Sequence, residues 1–134
     1  MILLVDDERR YTETVVPQLE EAGYKVCTHR SIDTALSFLE EHIGQIELLI
    51  LDISMPWGEM FTMEETEHGM RTGVRFYERV REKEMHLPVI VVTHAADPNL
   101  KEFFDSETNC WYRRKLDLMP FELTYLVKEI LMRQ

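Results

Sequence analysis

Short apolar segments alternate with amphipathic segments along the whole chain. Five apolar segments have the length and composition of buried strands, at residues 2–5, 24–28, 48–51, 88–92 and 110–112. A period near 3.6 predicts helices over 9–21, from Ser31 through Leu39, and over 74–83, 99–105 and 121–132. Pro17 predicts a kink or a restart within the first helix. Strands that alternate with helices predict a parallel sheet covered by helices on both faces.

Composition and charge narrow the range of functions. The chain has 134 residues, which suits a single domain over 1–134, and its formal net charge is −10. A surface this acidic repels nucleic acid and anionic lipid, so direct binding to DNA or to a membrane is not expected. No apolar run is long enough to span a bilayer and no signal peptide is evident, so we expect a cytoplasmic protein. Cys27 and Cys110 form neither a disulfide scaffold nor a zinc motif, and two buried free thiols are expected.

Residues that can carry chemistry follow four of the predicted strands. Asp6 and Asp7 come directly after the first strand, Asp52 after the third, Thr93 after the fourth and Lys115 just past the fifth. In open parallel sheets, functional groups gather at the carboxyl ends of the strands. Three carboxylates in one pocket repel each other and need a cation, and Mg²⁺ suits oxygen ligands. With a hydroxyl and an ammonium nearby, such a site can hold phosphoryl oxygens around a carboxylate nucleophile.

Four segments resemble the receiver domains of response regulators, the CheY-like family. They are ILLVDDE at 2–8, LLILDISMP at 48–56, VIVVTHA at 89–95 and YRRKL at 112–116. The resemblance covers essentially the whole chain. It implies a three-layer, flavodoxin-like, doubly wound α/β fold with five parallel strands in the order 2-1-3-4-5. In that order Cys27 and Cys110 lie on opposite edge strands and cannot form a disulfide.

The resemblance also implies a phosphoacceptor and a metal site. Asp52 corresponds to the residue that accepts a phosphoryl group. Asp6 and Asp7 correspond to the acids that hold Mg²⁺. Asp7 and Asp52 are expected as direct ligands, with the backbone carbonyl of Ser54 as a third.

Three further residues correspond to the family's phosphate contacts and switch. Thr93 corresponds to the hydroxyl that hydrogen-bonds the phosphoryl group, and Lys115 to the ammonium that pairs with it. Tyr112 corresponds to the aromatic residue that turns inward when Thr93 is drawn towards phosphate. The added charge on the phosphorylated residue then biases the surface near the last two strands, by population shift rather than refolding.

Each assignment also has a simpler structural alternative when it is taken alone. Asp6 and Asp7 stand where acids stabilise the start of a helix, Lys115 is flanked by arginines like a solvated lysine, and Tyr112 suits core packing. Asp52 is the hardest to explain in this way, because a carboxylate after an apolar strand is costly without a partner. The ordered series of residues favours the functional interpretation.

The sequence departs from the family in three places. Leu116 follows Lys115 where the family has proline, often after a cis bond. We expect a trans bond here, because a cis bond before leucine costs roughly 2.5–4 kcal/mol. His94 follows Thr93 where a small residue is usual. One interpretation is that its ring narrows the access to Asp52 and slows autodephosphorylation; the other is that the ring points away from the site. Residues 57–72 form an insertion, which we expect to be disordered or packed on itself. If this segment has a function, its exposed methionines and aromatic residues suggest that it recognises a partner.

The resemblance therefore implies a phosphoacceptor switch of two-component signalling rather than an enzyme. Its own chemistry would be Mg²⁺-dependent self-phosphorylation and autodephosphorylation. The implied partners are a histidine kinase or a phosphotransfer protein, and a downstream output protein or a fused output domain. The alternative is a pseudo-receiver that binds partners without being phosphorylated. A phosphohydrolase with an aspartyl nucleophile is disfavoured because Ser54 stands where such enzymes place a second acid.

Overall fold

Five parallel strands form one sheet at the centre of the structure, which is a computed structural model that describes residues 1–94 and 96–133. The strands are β1 (Ile2–Val5), β2 (Val26–His29), β3 (Leu48–Leu51), β4 (Val89–Thr93) and β5 (Cys110–Arg114). Their order in the sheet is β2-β1-β3-β4-β5 and every pair is parallel, which confirms the predicted fold.

In the described part of the chain, five helices lie between and after the strands. They are α1 (Arg9–Glu21), α2 (Ile32–His42), α3 (Thr72–Lys83), α4 (Pro98–Asp105) and α5 (Pro120–Met132), with short 3₁₀ turns at Ile43–Gln45 and Lys115–Asp117. The predicted helices are confirmed to within two residues at their ends, except that α2 continues three residues past Leu39 to His42. Ser31 caps α2 by accepting a hydrogen bond from the Thr34 amide. α1 does not restart at Pro17. Within the described residues, no helix is long and apolar enough to cross a membrane.

The second strand starts two residues later than the sequence predicts. Gly23, with a φ of +99°, ends α1, and the Tyr24 amide donates to the Leu19 carbonyl at 3.1 Å. Tyr24 therefore belongs to the end of the helix, since its amide closes the last turn. Pairing with β1 continues to His29, which lies opposite Val5.

Each face of the sheet is covered by its own group of helices. Alternate strand residues such as Leu3, Leu49 and Val91 pack against α2, α3 and α4. Their neighbours, such as Leu4 and Ile50, pack against α1 and α5. Strands buried on both faces read as continuous apolar runs, which is why β1, β3 and β4 are recognisable from sequence.

The cysteines lie on opposite edges of the sheet. Cys27 is in β2 and Cys110 in β5, and both are free thiols, as predicted. Both are half-buried rather than buried, because an edge strand leaves one side open.

The inserted segment 57–72 is folded onto the domain through hydrogen-bonded turns. The Asp33 carboxylate, in the first turn of α2, accepts hydrogen bonds from the amides of Glu59 (2.8 Å) and Met60 (3.0 Å). Phe61 is buried in the core cluster that includes α2 and α3. The segment therefore has fixed contacts at the helical layer and contributes a side chain to the core.

Candidate functional site

Three aspartates meet at the carboxyl edge of the sheet. Val5 lies opposite Leu51, and the Asp52 amide donates to the Val5 carbonyl at 2.9 Å, so the ends of β1 and β3 are level. Asp6, Asp7 and Asp52 each place one carboxylate oxygen within 4.8 Å of the others. Asp6 and Asp52 are buried and Asp7 is exposed. The sequence prediction that these three side chains converge is confirmed by this geometry.

The carboxylate oxygens of the three aspartates suit a hard divalent cation. Their existing contacts show which of these oxygens are free to bind one. Asp6 Oδ1 accepts from the Glu8 amide at 2.8 Å, and Asp6 Oδ2 lies 2.8 Å from Lys115 Nζ. Asp52 Oδ1 accepts from the Ile53 amide at 2.9 Å. One Asp6 oxygen is therefore hydrogen-bonded and the other is ion-paired with Lys115, so Asp7 and the second oxygen of Asp52 are the better candidates for direct ligands of Mg²⁺. These roles and that of the Ser54 carbonyl, two residues past Asp52, stay predictions.

Lys115 reaches the acidic site although Leu116 follows it. Its Nζ lies 2.8 Å from Asp6 Oδ2, 3.0 Å from Glu8 Oε2 and 3.8 Å from Asp52 Oδ2. The side chain is buried, and Leu116 projects into solvent. The peptide bond between them is trans, as expected. The ammonium is thus the cation that faces the predicted phosphoacceptor.

The charges of the site shift one another. Burial, with the nearby Asp6 carboxylate, raises the pKa of Asp52 to about 7. Burial also raises the pKa of Asp6, although Lys115 opposes that shift. Burial works against the charge of Lys115, but Asp52 and Asp6 outweigh it and raise the lysine's pKa. Before any cation binds, the site is therefore short of positive charge.

Thr93 and Tyr112 lie on the neighbouring strands. Thr93 is buried at the end of β4, opposite Arg114, the residue that precedes Lys115. Tyr112 is buried against α4, with its ring stacked on Phe104 at a centroid distance of 6.0 Å. The five residues predicted from strand ends therefore share one edge of the sheet. Their roles in binding phosphate and in switching stay predictions.

Two contacts of Lys115 are absent from the sequence prediction. Glu8 Oε2 accepts from Lys115 Nζ at 3.0 Å and lies 2.7 Å from His94 Nε2. Although some burial raises its pKa, hydrogen bonds from Lys115 and His94 hold the pKa of Glu8 below its usual value. The ring of Tyr11 lies under the ammonium, 4.5 Å from Nζ to the ring centroid. The acidic run Asp6-Asp7-Glu8 was a signal for Glu8, while nothing in the sequence pattern pointed to Tyr11.

A glycine brings α3 against the backbone of the site. A Cβ atom on Gly73 would lie 2.3 Å from the Asp52 carbonyl oxygen and 2.6 Å from Ile53 Cα. The Gly73 amide donates to the Ile53 carbonyl at 2.9 Å. The residue after the inserted segment is thus fixed directly behind Asp52.

A doubly wound parallel sheet with acids, a hydroxyl and a lysine at its carboxyl edge defines an α/β domain whose candidate site lies at the ends of the strands. The response regulator receiver domain family matches residues 2–109, and the chain belongs to that family. Receiver domains are signalling switches of two-component systems rather than conventional enzymes.

Individual relatives agree with this assignment. The response regulator SaeR of Staphylococcus aureus is 27% identical over 103 residues, which cover 77% of this chain and 44% of SaeR. The chain thus spans less than half the length of the curated relatives that it matches. Among solved structures, a CheY-like receiver domain from Methanospirillum hungatei superposes with a TM-score of 0.78 at 23% identity, covering 98% of this chain and 93% of that one. CheY4 of Vibrio cholerae gives 0.74 at 23% identity, covering 96% of each chain.

Proposed function

We propose that Asp52 accepts a phosphoryl group and that this changes the surface the domain offers to its partners. The observation that carries the proposal is the position of Asp52. Its buried carboxylate is within 4.8 Å of two other acids and 3.8 Å from the ammonium of Lys115. An aspartate held in this way combines a nucleophilic oxygen with a cation for the oxygens of the incoming group.

In the proposed reaction, an Asp52 oxygen attacks phosphorus and forms a P–O bond. The bond from phosphorus to the donor breaks, and the leaving group departs with that electron pair, as the imidazole of a phosphohistidine or as acetate. Mg²⁺, when bound by Asp7 and Asp52, would supply positive charge to the phosphoryl oxygens. Asp6 orients Lys115, and Thr93 would donate its hydroxyl hydrogen to a phosphoryl oxygen. Water later hydrolyses the acyl phosphate and returns Asp52 to its first state.

The proposed donor is a histidine kinase or a phosphotransfer protein, and we place this exchange in the cytoplasm. The proposed output is a downstream protein or a fused output domain. The phosphoryl group carries about −1.5 to −2 charges, in place of the single charge of the ionised carboxylate, and lies beside Thr93. Tyr112, on the adjacent strand and packed on α4, is the proposed route from that charge to the surface.

Intact-mass measurement tests this proposal. The protein is incubated with Mg²⁺ and acetyl phosphate beside Asp52→Ala, with Asp105→Ala, at an exposed ion pair on α4, as a matched control. We expect one added phosphoryl group in the wild type and in Asp105→Ala, and none in Asp52→Ala or without Mg²⁺. An adduct that persists in Asp52→Ala would contradict the assignment of the phosphoacceptor.

The second candidate is a pseudo-receiver, which binds partners without taking phosphate. One observation favours it. Glu8 Oε2 accepts a hydrogen bond from Lys115 Nζ and also contacts His94 Nε2, so one N–H of the ammonium is not available to a phosphoryl group. Absence of the adduct, together with no binding of beryllofluoride, a phosphoryl mimic, would support this candidate. Binding of beryllofluoride without transfer from acetyl phosphate would point to a receiver that needs a protein donor.

A further inference from the structure

The ammonium of Lys115 is held by residues far from it in sequence. Leu116 is 74% exposed, so the residue after Lys115 lies mostly in solvent. Lys115 opens the short 3₁₀ turn Lys115–Asp117, and Pro120 comes only at the start of α5. The support for the side chain comes instead from the start of α1.

Tyr11 in the first turn of α1 supplies one side of this support. Its ring packs against the core cluster of α1 and α5 and lies 4.5 Å from Lys115 Nζ. A cation within about 6 Å of an aromatic face is attracted by the negative face of the ring, and more strongly where water is excluded. The hydroxyl of Tyr11 is buried and has no hydrogen-bond partner among the described residues. The contact therefore belongs to the ring, not to the hydroxyl.

Four groups in the described part of the chain lie around the ammonium of Lys115, three carboxylates and one aromatic ring. A lysine ammonium has three N–H donors. Glu8 Oε2 accepts a hydrogen bond from Nζ at 3.0 Å, Asp6 Oδ2 forms an ion pair with it at 2.8 Å, and Asp52 Oδ2 lies at 3.8 Å. The ring face of Tyr11 lies 4.5 Å from the nitrogen on one side, and a ring face has no lone pair with which to accept a hydrogen bond. Asp52 Oδ2, at 3.8 Å, is beyond hydrogen-bond range of the ammonium, so a phosphoryl oxygen bound to Asp52 would be the group that completes this contact.

We propose that Tyr11 is a positioning residue that holds Lys115 towards the phosphoryl group on Asp52, in a chain whose lysine is followed by leucine. This inference rests on the proposed phosphoacceptor function. In this arrangement Tyr11 makes no contact with the phosphoryl group and acts through the ammonium.

Two substitutions separate the ring from the hydroxyl. Tyr11→Phe keeps the ring, and Tyr11→Met fills a similar volume without an aromatic face. The affinity for beryllofluoride in the presence of Mg²⁺ and the rate of phosphorylation by acetyl phosphate are measured for both. We expect Tyr11→Phe to match the wild type within about twofold and Tyr11→Met to lose roughly 3- to 20-fold in both quantities. Equal values for Tyr11→Met and the wild type would overturn the proposal, and an equal loss in Tyr11→Phe would assign the effect to the hydroxyl.

A second pair of measurements excludes a merely structural role. In a Lys115→Ala background, Tyr11→Met should cause no further loss of beryllofluoride affinity, because the group that it positions is gone. A loss that persists there would contradict the proposal. The chain has five lysines, so their ε-CH₂ resonances can be resolved in lysine-labelled protein. The Lys115 signal, identified by its loss in Lys115→Arg, should be shifted upfield in the wild type and Tyr11→Phe, and unshifted in Tyr11→Met.

The NMR measurement needs no phosphoryl group. The proposed phosphoacceptor function of Asp52 and the proposed positioning role of Tyr11 can therefore fail separately. If the wild type takes neither phosphate nor beryllofluoride, the phosphoacceptor function is wrong, and positioning towards phosphate is overturned with it. An upfield shift of Lys115 would then show only that the contact exists. If the wild type is phosphorylated but its Lys115 signal is unshifted and Tyr11→Met is fully active, only the role of Tyr11 is wrong.

Discussion

Arg71 and Asp97 form an ion pair at 3.1 Å that joins two connections of the domain. Arg71 is the last residue before α3, at the end of the inserted segment, and Asp97 caps the start of α4. Arg71 also pairs with Glu67 inside the insertion, at 3.0 Å. The insertion is thereby attached to the connection that follows β4, next to Thr93.

Breaking the pair between Arg71 and Asp97 should cost stability without unfolding the start of α4. Asp97→Asn is suited to this test, because asparagine caps helices as well as aspartate does and can still accept from the Asn99 amide. In a double-mutant cycle with Arg71→Gln, urea denaturation should give a coupling free energy of about 0.5–1 kcal/mol, since both side chains are partly buried. The same cycle on the exposed pair Arg9 and Glu13 should give a value near zero. Equal coupling in both cycles would show that burial does not strengthen the first pair.

Removing the charge of Asp52 should stabilise the metal-free protein at high pH. The pKa of Asp52 is about 7 when folded, against an ordinary value of 3.8. The folded state therefore binds the proton more tightly than the unfolded chain does, and stability falls as pH rises from about 4 to 7. Asp52→Asn should be more stable than the wild type by on the order of 2–4 kcal/mol at pH 8 in EDTA, and nearly equal to it at pH 4.

Chemical denaturation at the two pH values measures this difference. Asp105→Asn, at an exposed ion pair, serves as the control and should follow the wild type at both. Identical curves for Asp52→Asn and the wild type at pH 8 would mean that the charged carboxylate is not destabilised in the fold.

Gly73→Ala should reverse the usual effect of alanine in a helix. Alanine in place of glycine within a helix normally stabilises by up to about 1 kcal/mol. Here the new methyl group would lie 2.3 Å from the Asp52 carbonyl oxygen, so α3 or β3 must move. We expect a loss of roughly 1–3 kcal/mol in the free energy of unfolding, and slower phosphorylation because Asp52 shifts. Gly44→Ala, where a Cβ would meet nothing within 4 Å, provides the comparison. A Gly73→Ala protein as stable as Gly44→Ala would refute the close approach.

His94→Ala should shorten the life of the phosphorylated state. The His94 ring is exposed and reaches Glu8 Oε2 at 2.7 Å, and the same Glu8 oxygen accepts a hydrogen bond from Lys115 at the site. Without the ring, access to the acyl phosphate widens, and we expect its decay, followed by mass spectrometry after removal of the donor, to be several-fold faster. His86→Ala, at an exposed histidine before β4, should leave the decay unchanged. An unchanged decay in His94→Ala would remove His94 from any role in access.

Strand ends were predictable from the sequence, and side-chain contacts across the site were not. β1, β3 and β4 are buried on both faces, so their apolar runs mark them, and the acids after them are placed by the parallel register. β2 is half-buried at the edge, and its start was wrong by two residues because Tyr24 completes the helix before it. The contacts of Glu8 and Tyr11 with Lys115 depend on how the start of α1 packs in three dimensions. Both residues are separated from Lys115 by 104 or more positions, and no local sequence pattern predicts a contact over that distance.

The attachment of the inserted segment has a consequence for engineering the domain. Residues 57–72 supply Phe61 to the core, and the Asp33 carboxylate is satisfied by two amides of the segment. Trimming the insertion to a short connection would open a void where Phe61 sits, and would take both amide donors from an aspartate at the start of α2. A shortened chain would therefore need a large apolar replacement in the helical layer and a neutral residue at position 33. The insertion therefore cannot be replaced by a loop from another domain without other changes, because the core and the start of α2 both depend on its residues.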